Sequence, residues 1–250
     1  MLAHSFLWHY LWVAPHVLQI LVAGLIIKRN LHRDFPLFLV YTVYQVLSNA
    51  VLFTLDHSPS ITADEYHVAI NIDGVLSIGL RFAVIYEIFV VVLRPYGALK
   101  RLASLVIQFV LVAMLAISLF VAAYGPAAAY TSRHISLYIA MDRAASIVQC
   151  GLLLALFLFA SYFGLSWRSF AFGVAAALGF YLAVQLAVVA ISAYVYVPHG
   201  DLIGMVSYHI SVIAWLFYAW APQRGQATLK SVPQHQLESW NVELERLLQR

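Results

Sequence analysis

Apolar residues run along this chain in long uninterrupted stretches, and polar residues collect in the short gaps between them. Seven such runs lie at about 7–27, 36–55, 68–94, 102–124, 135–163, 169–195 and 202–221. Each supplies the roughly 20 residues that an α-helix needs to cross the hydrocarbon core of a bilayer. The runs are too long for strands and do not alternate with period two. A lone spanning segment must also satisfy its own backbone hydrogen bonds, so helix is expected throughout. The pattern predicts an all-α polytopic membrane protein, a bundle of seven transmembrane helices over residues 1–221.

The gaps carry a charge pattern that predicts orientation. KRNLHRD holds Lys28, Arg29 and Arg33, and RPYGALKR holds Arg94, Lys100 and Arg101. DHSPSITADEY has no Lys or Arg, and the fourth and sixth gaps are nearly free of them. Basic residues favour the cytoplasmic side, so the expected topology is N-out and C-in. Residues 222–250 then change character. PQRGQATLKSVP reads as a linker. QHQLESWNVELERLLQR reads as a short amphipathic helix with Leu237, Trp240, Leu244 and Leu247 on one face. That helix is expected on the inner membrane surface, or as the contact for a homo-oligomer or signalling partner.

Composition agrees with the pattern. Of 250 residues, 63% are hydrophobic and 10% charged, against roughly 45–50% and about 25% in soluble domains. The lipid bilayer is therefore the first expected partner. The net charge of +3 forms no basic stripe, so nucleic acid is not an expected one. The N-terminal run lacks a basic leader and exceeds a signal peptide's apolar region, which predicts a retained first span. The chain has no N-x-Ser/Thr sequon, which fits a bacterial inner (cytoplasmic) membrane. Cys150 is the sole cysteine, so no internal disulfide can form.

Chemistry is expected where ionisable residues interrupt the spans, because such groups are costly in lipid unless they face protein or water. The third span, HVAINIDGVLSIGLRFAVIYEIFVVVLRP, carries Asp73, Arg81 and Glu87. With Ser77, these residues project within roughly a third of the helix circumference, which should face inward. At about 1.5 Å of rise per residue, Asp73, Asp142, Arg143, His209 and His16 share one layer in the outer half. Asp73 and Arg143 are expected to pair. Arg81 falls near the midplane, within reach of Gln149. Glu87 falls nearer the cytoplasm, where Tyr41 and Tyr44 are its expected donors. Tyr41, Gln45, Ser48 and Asn49 of the second span are read chiefly as interhelical hydrogen-bonding groups.

Two bland readings stand beside these. Buried charges often serve only to lock helices together. Interfacial histidine is unremarkable in itself, yet eight of the ten histidines fall in outer loops or outer half-spans, which keeps a metal, haem or pH-sensing site under consideration. No HxxxH or HExxH spacing supports a metal within one helix.

Seven N-out spans are shared with rhodopsins and G-protein-coupled receptors. A retinal Schiff base needs a lysine in the last span, and Lys28, Lys100 and Lys230 all lie outside the spans. DRY and NPxxY are absent as well. The proline pattern and internal repeat of SWEET-type transporters and the histidine motif of ceramidase-type hydrolases are also missing. YEIFVVVLRPYGALKRLA and MDRAASIVQCGLLLALFLFASYFGLSWR resemble segments of uncharacterised bacterial seven-span membrane proteins. That resemblance implies a fold and a compartment, and no activity. The leading expectation is non-enzymatic: a small-ligand- or proton-responsive membrane protein. In it, Asp73 and Asp142 take a cation or proton, Arg143 balances them, and Arg81 and Glu87 relay the change inward. A small-solute transporter using the same charges is the rival, with an intramembrane metal- or haem-binding protein third.

Overall fold

The computed structural model describes residues 6–92, 112, 133–162, 169–192 and 200–221. Among them there are no strands, and six helices are long and apolar enough to span a membrane. They are α1 (Phe6–Lys28), α2 (Pro36–Asp56), α3 (Ala63–Val92), α4 (Arg133–Tyr162), α5 (Phe170–Ser192) and α6 (Gly200–Trp220). A short 3-10 turn, Leu31–Arg33, joins α1 to α2. The expected span at 102–124 and the C-terminal amphipathic helix lie outside the described residues, apart from a helical Val112.

Local signals explain where several helices begin and end. Asn30, after α1, takes the left-handed conformation (φ 56°) that asparagine tolerates better than most residues. Pro36 opens α2 at a position where its missing N–H costs nothing. The expected start of the third span, residue 68, falls five residues late, because α3 begins at Ala63 with a capping box. Thr62 N–H donates to Glu65 at 2.9 Å, and Glu65 N–H donates back to the Thr62 hydroxyl at 3.3 Å. At the opposite end Arg29 donates to the carbonyls of Ala219 (2.9 Å) and Ala221 (2.5 Å), closing the C-terminus of α6.

The helices form a ring in which each packs on its chain neighbour, α6 returns to α1, and α3 touches α5 across the middle. Specific pairs give their directions. Asp73 meets Ser48 while Glu87 meets Phe38, so α2 and α3 are antiparallel. Trp12 on Phe53 makes α1 antiparallel to α2. Gln19 meets Tyr208 and Arg29 meets Ala219, so α1 and α6 run together. Ser211 on Ala177 and Trp215 on Val174 make α5 antiparallel to α6. Gly179 against Leu153, with Phe157 against Phe172, makes α4 antiparallel to α5. Hence α1, α3, α4 and α6 point one way, and α2 and α5 the other.

The surface of the ring is apolar. Val17, Ile20, Leu47, Ile72, Leu154 and Phe217 are among many large aliphatic and aromatic side chains that point outward. Soluble monomers rarely expose apolar patches beyond a few hundred Å². Six apolar helices with an apolar exterior and polar groups turned inward make this a multi-pass membrane protein.

Candidate functional site

The interior of the ring differs between its two ends. At the end carrying the α2–α3 turn, a cavity of about 320 Å³ opens between the helices. All six line it: His16 on α1, Ser48 on α2, Asp73 and Arg81 on α3, Asp142 on α4, Gln185 on α5 and Tyr208 on α6 are representative. On every helix the lining residues are followed, one to three turns toward the other end, by packed residues. Trp215, Phe38, Phe170, Ile88, Leu153 and Ile26 are all fully buried there.

Asp73 sits on one wall. Its Oδ1 accepts the Tyr44 hydroxyl at 2.9 Å and also the Ser48 hydroxyl. Both hydroxyls belong to α2, so the two bonds tie Asp73 to that helix. Next to it, Gln45 Nε2 donates to Ser77 Oγ at 2.9 Å. Sequence depth alone expected Tyr44 to serve Glu87. In α2 the tyrosine lies two turns above that level, and Asp73 takes it instead.

Arg81 and Asp142 make the central ion pair, with Nη2 2.8 Å from Oδ1. The two side chains differ in exposure, 9% for Arg81 and 37% for Asp142. The arginine is embedded in protein, whereas the carboxylate meets the cavity. Tyr41 and Tyr181 line the same cavity as Arg81. Arg81 Nε and Gln149 Oε1 are both buried and have no hydrogen-bond partner among the described residues. Gln149 instead donates to the Ile78 carbonyl at 3.4 Å, so the expected Gln149–Arg81 bond is not formed.

A third strand of polar contacts links α1 to α6. His16 Nδ1 lies 2.8 Å from Gln19 Oε1, and Gln19 Nε2 donates to Tyr208 Oη at 2.7 Å. With the amide oriented this way, His16 must carry its proton on Nδ1. Tyr208 packs edge-to-face on Tyr181 (5.3 Å) and on Trp215 (6.3 Å).

The expected pair of Asp73 with Arg143 is not formed. Arg143 is exposed, and its neighbour Asp142 takes the inward position and pairs with Arg81. His209 shows the same offset. It does not line the cavity, its Nδ1 is buried without a partner, and its ring lies 5.7 Å from Tyr10; Tyr208 faces the cavity instead. Successive helical residues are turned by about 100°, so a correct level can carry a wrong direction.

Glu87 lies outside the cavity. It is 5% exposed, and its carboxylate accepts the backbone N–H groups of Leu37 (2.6 Å) and Phe38 (2.8 Å). It caps the N-terminus of α2, replacing the expected bonds from Tyr41 and Tyr44. Among the described residues, no three His, Cys, Asp or Glu side chains converge as a metal site.

No protein-family model matches the chain, and neither does any curated protein or solved structure. The functional reading therefore rests on geometry. Several cavity residues lay beyond sequence reasoning: Tyr208, Tyr181, Gln185, Ser146 and the supporting Gln19. The two glutamines were the available signal, since each stands in an otherwise apolar run.

Proposed function

We propose that this is a seven-span protein of the bacterial inner membrane, N-out and C-in, that binds a small polar ligand or a proton in its outer half and responds to it. The carrying observation is the contrast along the ring axis, a polar cavity at one end and a packed aromatic floor beneath it. Phe38 meets Phe170 at 5.7 Å and Trp215 at 5.3 Å, while Tyr41 meets Trp215 at 6.1 Å. A transporter caught in passage needs a polar track toward both faces, whereas a receptor needs a pocket with a floor.

The seventh span is supported by direction. α3 and α4 run the same way, which is the relation that one further crossing between them would give. The orientation is supported by Lys28, Arg29 and Arg33, which gather at the floored end.

Site-directed thiol labelling tests the reading. With Cys150 replaced by Ser, a Ser48→Cys variant is treated with a membrane-impermeant maleimide in right-side-out spheroplasts and in inverted vesicles. Modification only in spheroplasts is expected. Modification from both sides would overturn the reading in favour of alternating access. Modification only in inverted vesicles would reverse the topology.

A further inference from the structure

We infer that the ligand of this cavity carries an organic ammonium group that sits against Asp73. The inference rests on the binding reading above and gives it a substrate class. Arg81 is matched by Asp142 at 2.8 Å. Asp73 has no cationic partner within 4 Å: the ion pairs among the described residues are Arg81–Asp142 and the one joining Asp56 to His57. His16 lines the same cavity and lies near enough to feel the Asp73 charge, yet its Nδ1 is engaged by Gln19 and it makes no salt bridge to Asp73. One carboxylate is therefore left without a cation in direct contact.

Its hydrogen bonds sharpen the point. Tyr44 and Ser48 both donate to Oδ1. Oδ2 accepts from no described side chain. An ionised carboxylate inside a bundle is costly unless a cation completes it. The cavity leaves room for that cation to be a molecule. About 320 Å³ is roughly ten times the ~30 Å³ share of one water in the liquid, so a bare metal ion would leave most of it empty. In the same cavity, Gln185 Nε2 donates to Tyr181 Oη at 3.2 Å and Tyr208 Oη accepts from Gln19, which leaves the Gln185 carbonyl and the two phenol O–H groups to meet the rest of such a ligand. Tyrosine faces also attract ammonium groups. A small amine bearing hydroxyl or carboxyl groups fits all of these surfaces.

The test uses the purified full chain in detergent, dialysed free of amines, and reads thermal unfolding. Asp73→Asn keeps a hydrogen-bonding oxygen for Tyr44 and Ser48 while removing the unmatched charge. It is expected to raise the apparent Tm above that of wild type. Ethanolammonium chloride should raise the wild-type Tm by several degrees and leave Asp73→Asn unmoved. Sodium chloride at the same ionic strength and ethylene glycol at the same concentration should do neither. Arg143→Gln, exposed and away from the cavity, should respond as wild type does. A lower Tm for Asp73→Asn would make Asp73 a structural strut and overturn the inference. So would an equal shift from sodium chloride, which means an inorganic ion, or from ethylene glycol, which means that charge is irrelevant. No shift from any probe, with no gain in Asp73→Asn, would overturn it as well. The thiol-labelling result is read independently, so a neutral-ligand outcome here leaves the cavity reading standing.

Discussion

The two halves of the ring are built from the same six helices and obey different rules. In the floored half, side chains meet as they do in a soluble core. Rings lie edge to face at 5–6 Å, and Phe38, Phe170 and Trp215 are all but inaccessible. In the cavity half the same helices present carboxylates, hydroxyls and amides to an open space. Tyr41 belongs to both, lining the cavity and packing on Trp215. Lipid outside cannot drive helices together by the hydrophobic effect. Cohesion must come from close packing and hydrogen bonds, and the floored half supplies most of the packing. That leaves the other half able to keep groups whose partners are incomplete. Stability is concentrated at one end and chemistry at the other.

Substitutions can break this division. The largest effect is expected from Trp215→Ala, which opens a hole in the floor and should cost about 3–5 kcal/mol, measured by reversible unfolding in mixed micelles. Asp142→Ala should follow closely, since it strands the embedded Arg81 and costs on the order of 3 kcal/mol. Arg81→Met should cost clearly less, because the carboxylate it leaves behind reaches the cavity. Equal costs would mean that the pair is buried symmetrically, and the reverse order that the carboxylate is shut away from the cavity. Glu87→Gln comes next. It replaces one of the two oxygens that accept N–H groups at the start of α2, which should lower stability by about 1–2 kcal/mol in the same assay. The smallest effect is expected from Ser48→Ala, within about 0.5 kcal/mol. A loss there as large as at Glu87 would show that the cavity wall, too, holds the fold together.

Glycines sharpen the same contrast. A Cβ at Gly173 would lie 2.1 Å from the Tyr218 ring, so Gly173→Ala requires an aromatic side chain to move. A Cβ at Gly204 would meet the far end of Gln185 at 2.9 Å, which a flexible amide can yield. Gly173→Ala should destabilise by about 1–3 kcal/mol and Gly204→Ala by less. Gly151 faces open space, and its alanine variant should be neutral or slightly stabilising.

Much of the site was legible as depth and little of it as direction. Asp73, Ser77 and Arg81 were expected on one inward face of a single helix, and they do share the cavity. A face within one helix needs only the 100° step, which the sequence carries. Across helices the same reasoning chose Arg143 and His209 where Asp142 and Tyr208 turn inward. The rotation of each helix about its axis is set by its neighbours. Glu87 was read as part of an inward relay because its charge stood out. Its actual partners are backbone N–H groups at the start of α2, and backbone donors have no signature in a side-chain pattern.

From the sequence alone followed the membrane class, the helical state and the levels at which charge enters the interior. Each depends on local composition and on a backbone that must satisfy itself in lipid. The tertiary structure decided which carboxylate pairs with Arg81, which one has no salt bridge, and that the pocket has a floor. Those are properties of how six helices are turned toward one another, and no single helix contains that information.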